Sequence, residues 1–191
     1  MELPAAGLLL LTGGASRRYG APKHLQLHPD GGDWGSHLLD VHGQALGPGP
    51  VRILGPGLPG HPDLPSLPDD GRGPALALAA WARSERAACR RWWVAPCDQP
   101  RWTVASLRTW HSLAAEADPG GEAWVAAETG GRIQCLGGFL GAALLPALGK
   151  STETRLQALW EQLPHRLLPW EGEDFDDLDD RGAYEAWIRS R

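Results

Sequence analysis

The sequence predicts an α/β protein in which helices cover both faces of a mostly parallel sheet. Three observations support this fold class. Short uncharged apolar runs such as Leu8 to Leu11 are typical of strands buried on both faces. Segments with helical spacing such as Trp34 to Leu46 follow these runs. Strands and helices alternate along 191 residues, a length that suits one domain spanning residues 1–191.

The first half of the chain contains three predicted strands. The first strand ends at Gly13 and Gly14, and residues 15–33 form a polar, glycine-rich loop. The elements predicted after this loop are a helix over Trp34–Leu46, a strand over Val51–Leu54, an irregular segment over Gly55–Pro68, an alanine-rich helix over Ala75–Arg91 and a strand over Trp92–Ala95. The irregular segment is rich in Pro and Gly, which disfavour both helix and sheet.

The second half continues the alternation. Its predicted elements are a helix over Thr103–Ala117, strands over Ala123–Ala127 and Cys135–Leu140, helices over Ala142–Leu148 and Glu153–Leu163, a strand over Arg166–Trp170 and a helix over Gly182–Ile188. Thr103 is a suitable N-cap for its helix because its hydroxyl can accept a backbone N–H. Ligands of such sheets bind at the carboxyl ends of the strands, so functional residues are expected there.

Composition excludes several classes of protein. The net charge is -5 and no run of basic residues occurs, which argues against binding of duplex nucleic acid through its phosphates. The longest uncharged stretch, Ile133 to Gly149, is interrupted by glycines and falls short of the ~20 apolar residues that a membrane span needs. Cys89, Cys97 and Cys135 form neither a disulfide framework nor a metal motif, so reduced thiols and a cytoplasmic location are expected.

The loop after the first strand has the chemistry of a polyphosphate site. The small side chains at Gly13, Gly14, Ala15 and Ser16 would let a polyphosphate approach consecutive backbone amides. Arg18 and Lys23 would neutralise its charge, and Lys23 is one of only two lysines in the chain. The competing interpretation is a solvated basic loop at the end of a strand. The loop is not a Walker A motif, because the spacing GxxxxGK[ST] does not occur in it.

A second glycine pattern is rejected as a nucleotide-binding motif. Gly55-Pro56-Gly57-Leu58-Pro59-Gly60 matches GxGxxG directly after a strand. The dinucleotide motif needs a helix that begins at its third glycine, and the prolines at positions 59, 62 and 65 forbid that helix. We therefore predict a turn-rich segment.

The pattern LxGGxSxRxGxxK resembles the signature loop of the molybdenum cofactor guanylyltransferases, a branch of the sugar-nucleotide type nucleotidyltransferases. It is matched at Leu11, Gly13, Gly14, Ser16, Arg18, Gly20 and Lys23. Three further stretches extend the resemblance in the same order: Asp70-Gly71-Arg72-Gly73-Pro74, Pro96-Cys97-Asp98-Gln99-Pro100 and Phe175-Asp176-Asp177-Leu178-Asp179. The resemblance implies a single-domain, three-layer, Rossmann-like nucleotidyltransferase fold with a mostly parallel mixed sheet.

The resemblance also implies roles for individual residues. Catalytic roles fall to Arg18, Lys23 and Asp98, and Asp98 would bind Mg²⁺. The nucleotide would contact Leu11, Thr12, Gly13, Gly14, Ala15, Ser16, Arg18, Lys23, Asp70, Gly73, Pro74 and Asp98. Asp177 and Asp179 are candidates for a second metal or substrate contact. Asp98 also suits its role without the resemblance, because it follows an apolar strand and offers the hard oxygen ligand that Mg²⁺ prefers.

The activity implied is transfer of GMP from GTP to the phosphate of molybdenum-bound molybdopterin, with release of pyrophosphate. Transient contacts with proteins that deliver and receive the cofactor are expected. Two alternatives stay open: a transferase that uses CTP or another phosphorylated acceptor, and a non-catalytic carrier of nucleotide or pterin. The second is motivated by the C-terminal segment, where the Thr-Pro-Glu-Asp helix start typical of the family is absent at Asp180-Arg181-Gly182.

Overall fold

A computed structural model of the chain describes residues 6–13 and 20–191, which form one sheet flanked by helices. The strands are β1 (Ala6–Leu11), β2 (Val51–Leu54), β3 (Ser66–Leu67), β4 (Arg91–Pro96), β5 (Trp124–Thr129), β6 (Arg132–Gly141) and β7 (His165–Pro169). The helices are α1 (Trp34–Leu46), α2 (Pro74–Ser84), α3 (Val104–Ala117), α4 (Leu145–Leu148), α5 (Leu156–Gln162) and α6 (Arg181–Arg189). Short 3₁₀ turns lie at Lys23–Leu25, Ala142–Leu144 and Glu173–Phe175.

The seven strands are ordered β3-β2-β1-β4-β6-β5-β7. Strand β6 runs antiparallel to both of its neighbours, β4 and β5, and the remaining pairs are parallel. The carboxyl ends of β1 and β4 are in register, with Leu11 opposite Pro96. The predicted α/β class with a mostly parallel mixed sheet is therefore confirmed.

Two hydrophobic clusters pack on the two faces of the sheet. Alternate residues of β1 enter different clusters: Leu9 and Leu11 pack on the side of α2 and α5, whereas Leu8 and Leu10 pack on the side of α1 and α3. The alternation follows from strand geometry, in which successive side chains point to opposite faces. Burial on both faces explains why the first strand is an uninterrupted apolar run.

The ends of two helices differ from prediction. The alanine-rich helix ends at Ser84 rather than at Arg91. Helical propensity is overridden there because Arg91 pairs in the sheet with Ala6 and Gly141. The helix predicted from Glu153 begins at Leu156, since the Glu153 carboxylate accepts the backbone N–H groups of Thr154 and Arg155 and holds that segment as a turn.

The segment after β2 is almost as irregular as predicted. Its last residues, Ser66 and Leu67, form the short strand β3 against Ile53 and Leu54, which corrects the prediction for that end. Residues 61–65 form turns instead of a helix that begins at Gly60, as expected for a GxGxxG pattern that is not a dinucleotide motif. The predicted cap at Thr103 is also confirmed, because its hydroxyl accepts the Ser106 N–H at 3.1 Å.

The remaining sequence features concern cysteines and membranes. Cys89, Cys97 and Cys135 are buried free thiols, and burial raises the pKa of each to about 12. A buried thiol with a raised pKa stays protonated near neutral pH, which favours a packing role for Cys97 over a nucleophilic one. No helix formed by residues 6–13 and 20–191 is long and apolar enough to cross a membrane.

Candidate active site

The candidate site lies at the carboxyl ends of β1 and β4. The Cys97 backbone N–H donates to the Leu11 carbonyl at 3.0 Å, which ties the two strand ends together. Asp98 follows directly, and its side chain is 28% exposed. A carboxylate is thereby placed where ligands of parallel sheets bind.

Lys23 reaches this carboxylate from the loop that follows β1. It begins the 3₁₀ turn Lys23–Leu25, and its Nζ donates to Asp98 Oδ2 at 3.0 Å and to Asp179 Oδ1 at 2.8 Å. Only 8% of the residue is exposed. Burial lowers the pKa of Lys23, but the two carboxylates outweigh it and hold the pKa above its usual value. The ammonium is therefore charged at neutral pH.

The C-terminal segment supplies the other carboxylates. The Leu178 N–H donates to the Asp98 carbonyl at 2.8 Å, which fixes the segment beside the loop after β4. Asp177 lies close to Asp98 and Asp179, and burial followed by the negative charge of Asp98 raises its pKa to about 6. We call Lys23, Asp98, Asp177 and Asp179 the Lys23 cluster.

Gln99 fixes Asp177 in this arrangement, a role that sequence reasoning missed. Its Nε2 donates to Asp177 Oδ1 at 3.0 Å and to the Phe175 carbonyl at 3.2 Å. Gln99 is almost completely buried. The sequence could have indicated this role through the position of Gln99 next to Asp98, since a buried amide beside a site residue needs hydrogen-bond partners.

Gly137 on β6 was also missed. Its φ is +79°, and a Cβ there would lie 2.6 Å from the Phe175 ring and 2.7 Å from Gln99 Oε1. Its carbonyl accepts the indole N–H groups of Trp93 and Trp110 at 3.0 and 3.1 Å. Only glycine satisfies both the backbone conformation and the close approach. The sequence could have indicated this close contact, because a glycine inside a predicted strand often marks one.

The loop after β1 is only partly described, and its described end differs from expectation. The N–H groups of Thr12 and Gly13 both donate to the Leu54 carbonyl, at 2.9 and 3.1 Å. The Gly13 amide is therefore engaged within the protein, and its predicted contact with the nucleotide stays a prediction. The Thr12 hydroxyl lies 2.6 Å from the Pro56 carbonyl, and Leu11 packs in the core. Gly14, Ala15, Ser16 and Arg18, the remaining predicted residues of this loop, lie outside the described residues.

The predicted nucleotide contacts Asp70, Gly73 and Pro74 lie just before and at the start of α2. The Asp70 carboxylate is exposed, accepts Arg72 Nε at 2.6 Å, and has a pKa held below its usual value by that guanidinium. Gly73, with φ +96°, precedes α2, and Pro74 is its first residue, one position before the predicted start at Ala75. The structure also shows that a Cβ on Gly13 would collide with the Asp69 carboxylate, so Asp69 borders the same loop.

The donor set at Lys23 suits a hard divalent cation. Two carboxylates, those of Asp98 and Asp179, already share one cationic group, the ammonium. Mg²⁺ in nucleotide sites is held by one or two carboxylates with substrate phosphates completing its shell. Within the described part of the chain, no three His, Cys, Asp or Glu side chains are grouped as ligands for one ion. A cation at this position would therefore need ligands from substrate or water.

Comparison with known proteins assigns the chain to a family. A family model, the MobA-like NTP transferase domain, matches residues 8–167. The chain belongs to this family. It is accordingly a nucleotidyltransferase-like domain, and the resemblance to nucleotidyltransferases is confirmed. No curated protein matches the sequence significantly.

Solved structures show the same fold as this MobA-like domain. Rv0371c from Mycobacterium tuberculosis is 19% identical, with a TM-score of 0.73 over 98% of this chain and 100% of that chain. Molybdopterin-guanine dinucleotide biosynthesis protein A from Archaeoglobus fulgidus is 14% identical, with a TM-score of 0.70 over 96% and 97%. A 4-diphosphocytidyl-2C-methyl-D-erythritol synthase is 12% identical, with a TM-score of 0.65 over the whole of both chains. Rv0371c has also been crystallised with manganese.

Proposed function

We propose that this MobA-like domain transfers GMP from GTP to the phosphate of molybdenum-bound molybdopterin, giving molybdopterin guanine dinucleotide and pyrophosphate. The observation that carries the proposal is the meeting of Lys23, Asp98 and Asp179 at the carboxyl ends of β1 and β4. A nucleotidyltransferase needs groups that bind phosphate and a divalent cation, and an ammonium beside two carboxylates is suited to these roles.

The reaction needs little acid–base chemistry from the protein. The attacking group is a phosphate monoester with a second pKa near ~6, so it is largely ionised at neutral pH. The protein must instead bring two anionic phosphates together and stabilise the leaving pyrophosphate. Lys23 and Arg18 would contact the triphosphate, together with the loop amides from Gly14 to Ser16.

The carboxylates are assigned to the divalent cation. Asp98 would hold Mg²⁺, with Asp179 or Asp177 as a second contact. The bound cation would neutralise charge on the α-phosphate and orient it. The manganese complex of Rv0371c supports a divalent cation in a protein of this fold. Gln99 would hold Asp177 in place through its 3.0 Å hydrogen bond.

The guanine assignment is supported by the resemblance of the signature loop and by the fold shared with molybdopterin-guanine dinucleotide biosynthesis protein A. Asp70, Gly73 and Pro74 are assigned to the base and ribose side. We expect the reaction in the cytoplasm, where the three buried thiols would stay reduced.

A cytidylyltransferase is the second candidate. The 4-diphosphocytidyl-2C-methyl-D-erythritol synthase shares the fold over its whole length, so the fold is compatible with more than one base. Thermal denaturation with GTP, CTP, UTP or ATP and Mg²⁺ separates the two, because a ligand that binds only the native state raises its midpoint. We expect the largest rise with GTP. An equal or larger rise with CTP would contradict the guanine assignment.

Pyrophosphate release distinguishes an enzyme from a carrier. We expect release that depends on both GTP and molybdenum-bound molybdopterin. Binding of GTP without release of pyrophosphate in the presence of the loaded acceptor would indicate a non-catalytic carrier.

A further inference from the structure

The Lys23 ammonium lies where two carboxylates converge. Its Nζ donates to Asp98 Oδ2 at 3.0 Å and to Asp179 Oδ1 at 2.8 Å, and its side chain is only 10% exposed. Asp177 adds a third carboxyl group close to the same charge. The ammonium therefore compensates a concentration of negative charge that would otherwise repel itself.

We propose that Lys23 occupies the cation position of the site when no nucleotide is bound, and that it keeps divalent cations out until a triphosphate draws it away. The identity of the triphosphate rests on the proposed function given above. The assignment of a divalent cation to these carboxylates also rests on the proposed function, whereas the contacts of Lys23 with Asp98 and Asp179 are part of the structure.

Lys23 and a divalent cation would compete because both would bind the same carboxylate oxygens of Asp98 and Asp179. Mg²⁺ binds carboxylate oxygens at about 2.0–2.1 Å, so an ion on Asp98 Oδ2 and Asp179 Oδ1 would lie within a few ångströms of Nζ. Two positive centres at that separation in a partly buried site repel each other. Divalent cation and Lys23 ammonium therefore exclude each other from these two carboxylates.

Lysine is suited to moving between two anionic partners. Its ammonium is a compact charge on a flexible four-carbon chain, and it needs no planar, bidentate partner as arginine does. A triphosphate offers Lys23 replacement oxygens and leaves Asp98 and Asp179 free for the cation. Nucleotide and cation binding are thus coupled, and each favours the other to the same extent.

The first experiment measures binding of Mn²⁺ alone by calorimetry. Wild type is compared with Lys23→Met and with Lys150→Met, which removes the only other lysine and serves as the matched control. We expect Lys23→Met to bind Mn²⁺ at least about tenfold more tightly. The variant loses the charged hydrogen-bond donor that competes for the carboxylates, and one such bond corresponds to about this change in affinity. Lys150→Met should match wild type. Equal or weaker Mn²⁺ binding by Lys23→Met would overturn the proposal.

The thermal stability of Lys23→Met is measured with and without Mn²⁺ in the same comparison. Without Lys23 the three carboxylates repel one another, so we expect Lys23→Met to be less stable than wild type in the absence of metal. Circular dichroism monitors its folding. We expect Mn²⁺ to raise the thermal midpoint of Lys23→Met by more than that of wild type. If Mn²⁺ gives the variant no greater rise, the ammonium does not occupy the cation position.

The second experiment follows the lysine itself. In protein labelled with ¹⁵N-lysine, two side-chain ammonium groups are present, and Lys150→Met assigns them. With EDTA present, GTP alone should shift the Lys23 signal and leave the Lys150 signal unchanged. GTP binding with no change at Lys23 would overturn the proposal. If GTP does not bind, the proposed function fails, whereas the Mn²⁺ comparison still decides the role of Lys23.

Discussion

Two ionic contacts hold the same C-terminal segment to the loop after β4, and they differ in kind. In the Lys23 cluster, a lysine from the loop after β1 joins Asp98 to Asp179. In the second contact, Arg101 binds Glu173 and, at 3.2 Å, Asp176, with its guanidinium over the Trp187 ring. We call Arg101, Glu173, Asp176 and Trp187 the Arg101 cluster.

We interpret the Arg101 contact as structural and the Lys23 contact as one that can exchange its partners. Arg101 Nη1 contacts the carboxylates of both Glu173 and Asp176, and the guanidinium also lies over the Trp187 ring. Lys23 is held by charge-assisted hydrogen bonds to two carboxylates, at the carboxyl ends of the strands where ligands bind. We infer that the Arg101 cluster fixes the segment, which leaves the Lys23 cluster free to exchange partners.

The largest expected effect is on catalysis, from Asp98→Asn. Asparagine keeps the size and one oxygen ligand but loses the charge that attracts a divalent cation. We expect kcat for pyrophosphate release to fall by ~10³ or more, the scale for loss of a principal stabiliser of transition-state charge. Asp177→Asn and Asp179→Asn should cost less.

The matched control for Asp98→Asn is Asp176→Asn in the Arg101 cluster. It removes one carboxylate charge from the adjoining C-terminal segment, and Asp176 pairs with Arg101 rather than with Lys23. Its kcat should stay near that of wild type. A folded Asp98→Asn enzyme with near-normal kcat would place the metal site elsewhere.

Lowering the pH should destabilise the folded protein, in part through His28 beside the Arg101 cluster. His28 packs against Trp187, its Nε2 lies 3.1 Å from the Pro100 carbonyl, and burial lowers its pKa to about 4. Burial lowers the pKa of His42 to about 4 as well. Between pH 6.5 and 4 the unfolded chain binds these protons and the folded protein does not, so stability falls as pH falls.

Asp177 opposes this trend, because its pKa is raised and protonation between about pH 6 and 3.8 favours the folded state. The lowered pKa values of His28 and His42 together outweigh the raised pKa of Asp177. We therefore expect the thermal midpoint to fall by more than ~5 °C from pH 6.5 to 4.5. His28→Gln, which keeps a side-chain N–H donor, should flatten the dependence. An unchanged slope in that variant would exclude His28 as its source.

A smaller effect is expected from Arg101→Met. The partners of Arg101 are exposed, so the ion pairs and the contact with Trp187 together stabilise the fold by about 1–2 kcal/mol. The thermal midpoint should fall by ~2–8 °C, with Arg155→Met, which removes an exposed arginine, as the control. An unchanged midpoint would show that the Arg101 cluster does not fix the segment.

The smallest effect is expected in the loop after β2, away from both contacts. A Cβ on Gly60 meets open space, so Gly60→Ala should leave the thermal midpoint and nucleotide affinity nearly unchanged. Gly55→Ala is the contrasting variant, because Gly55 has φ +112° and its Cβ would collide with the Gly13 backbone. Selective loss of GTP binding in Gly60→Ala would mean that the GxGxxG pattern binds phosphate after all.

Local sequence was sufficient for the order of the elements and for the position of Asp98. The apolar runs of β1 and β4 are buried on both faces, and Asp98 follows β4 directly. Helix α1 has the predicted bounds, and Thr103 caps α3. These features depend on side-chain periodicity and capping, which act within a few residues.

Sequence determined which charged residues are available in this protein, and tertiary structure decided how they pair. Asp177 and Asp179 stand in a run of similar acids, and nothing local distinguishes Asp179 as the partner of Lys23 or Asp176 as the partner of Arg101. The choice is made by Leu178, whose burial and hydrogen bond to Asp98 set the position of the segment. Tertiary packing likewise ended α2 at Ser84 and required Gly137, because sheet pairing and close contacts join residues far apart in sequence.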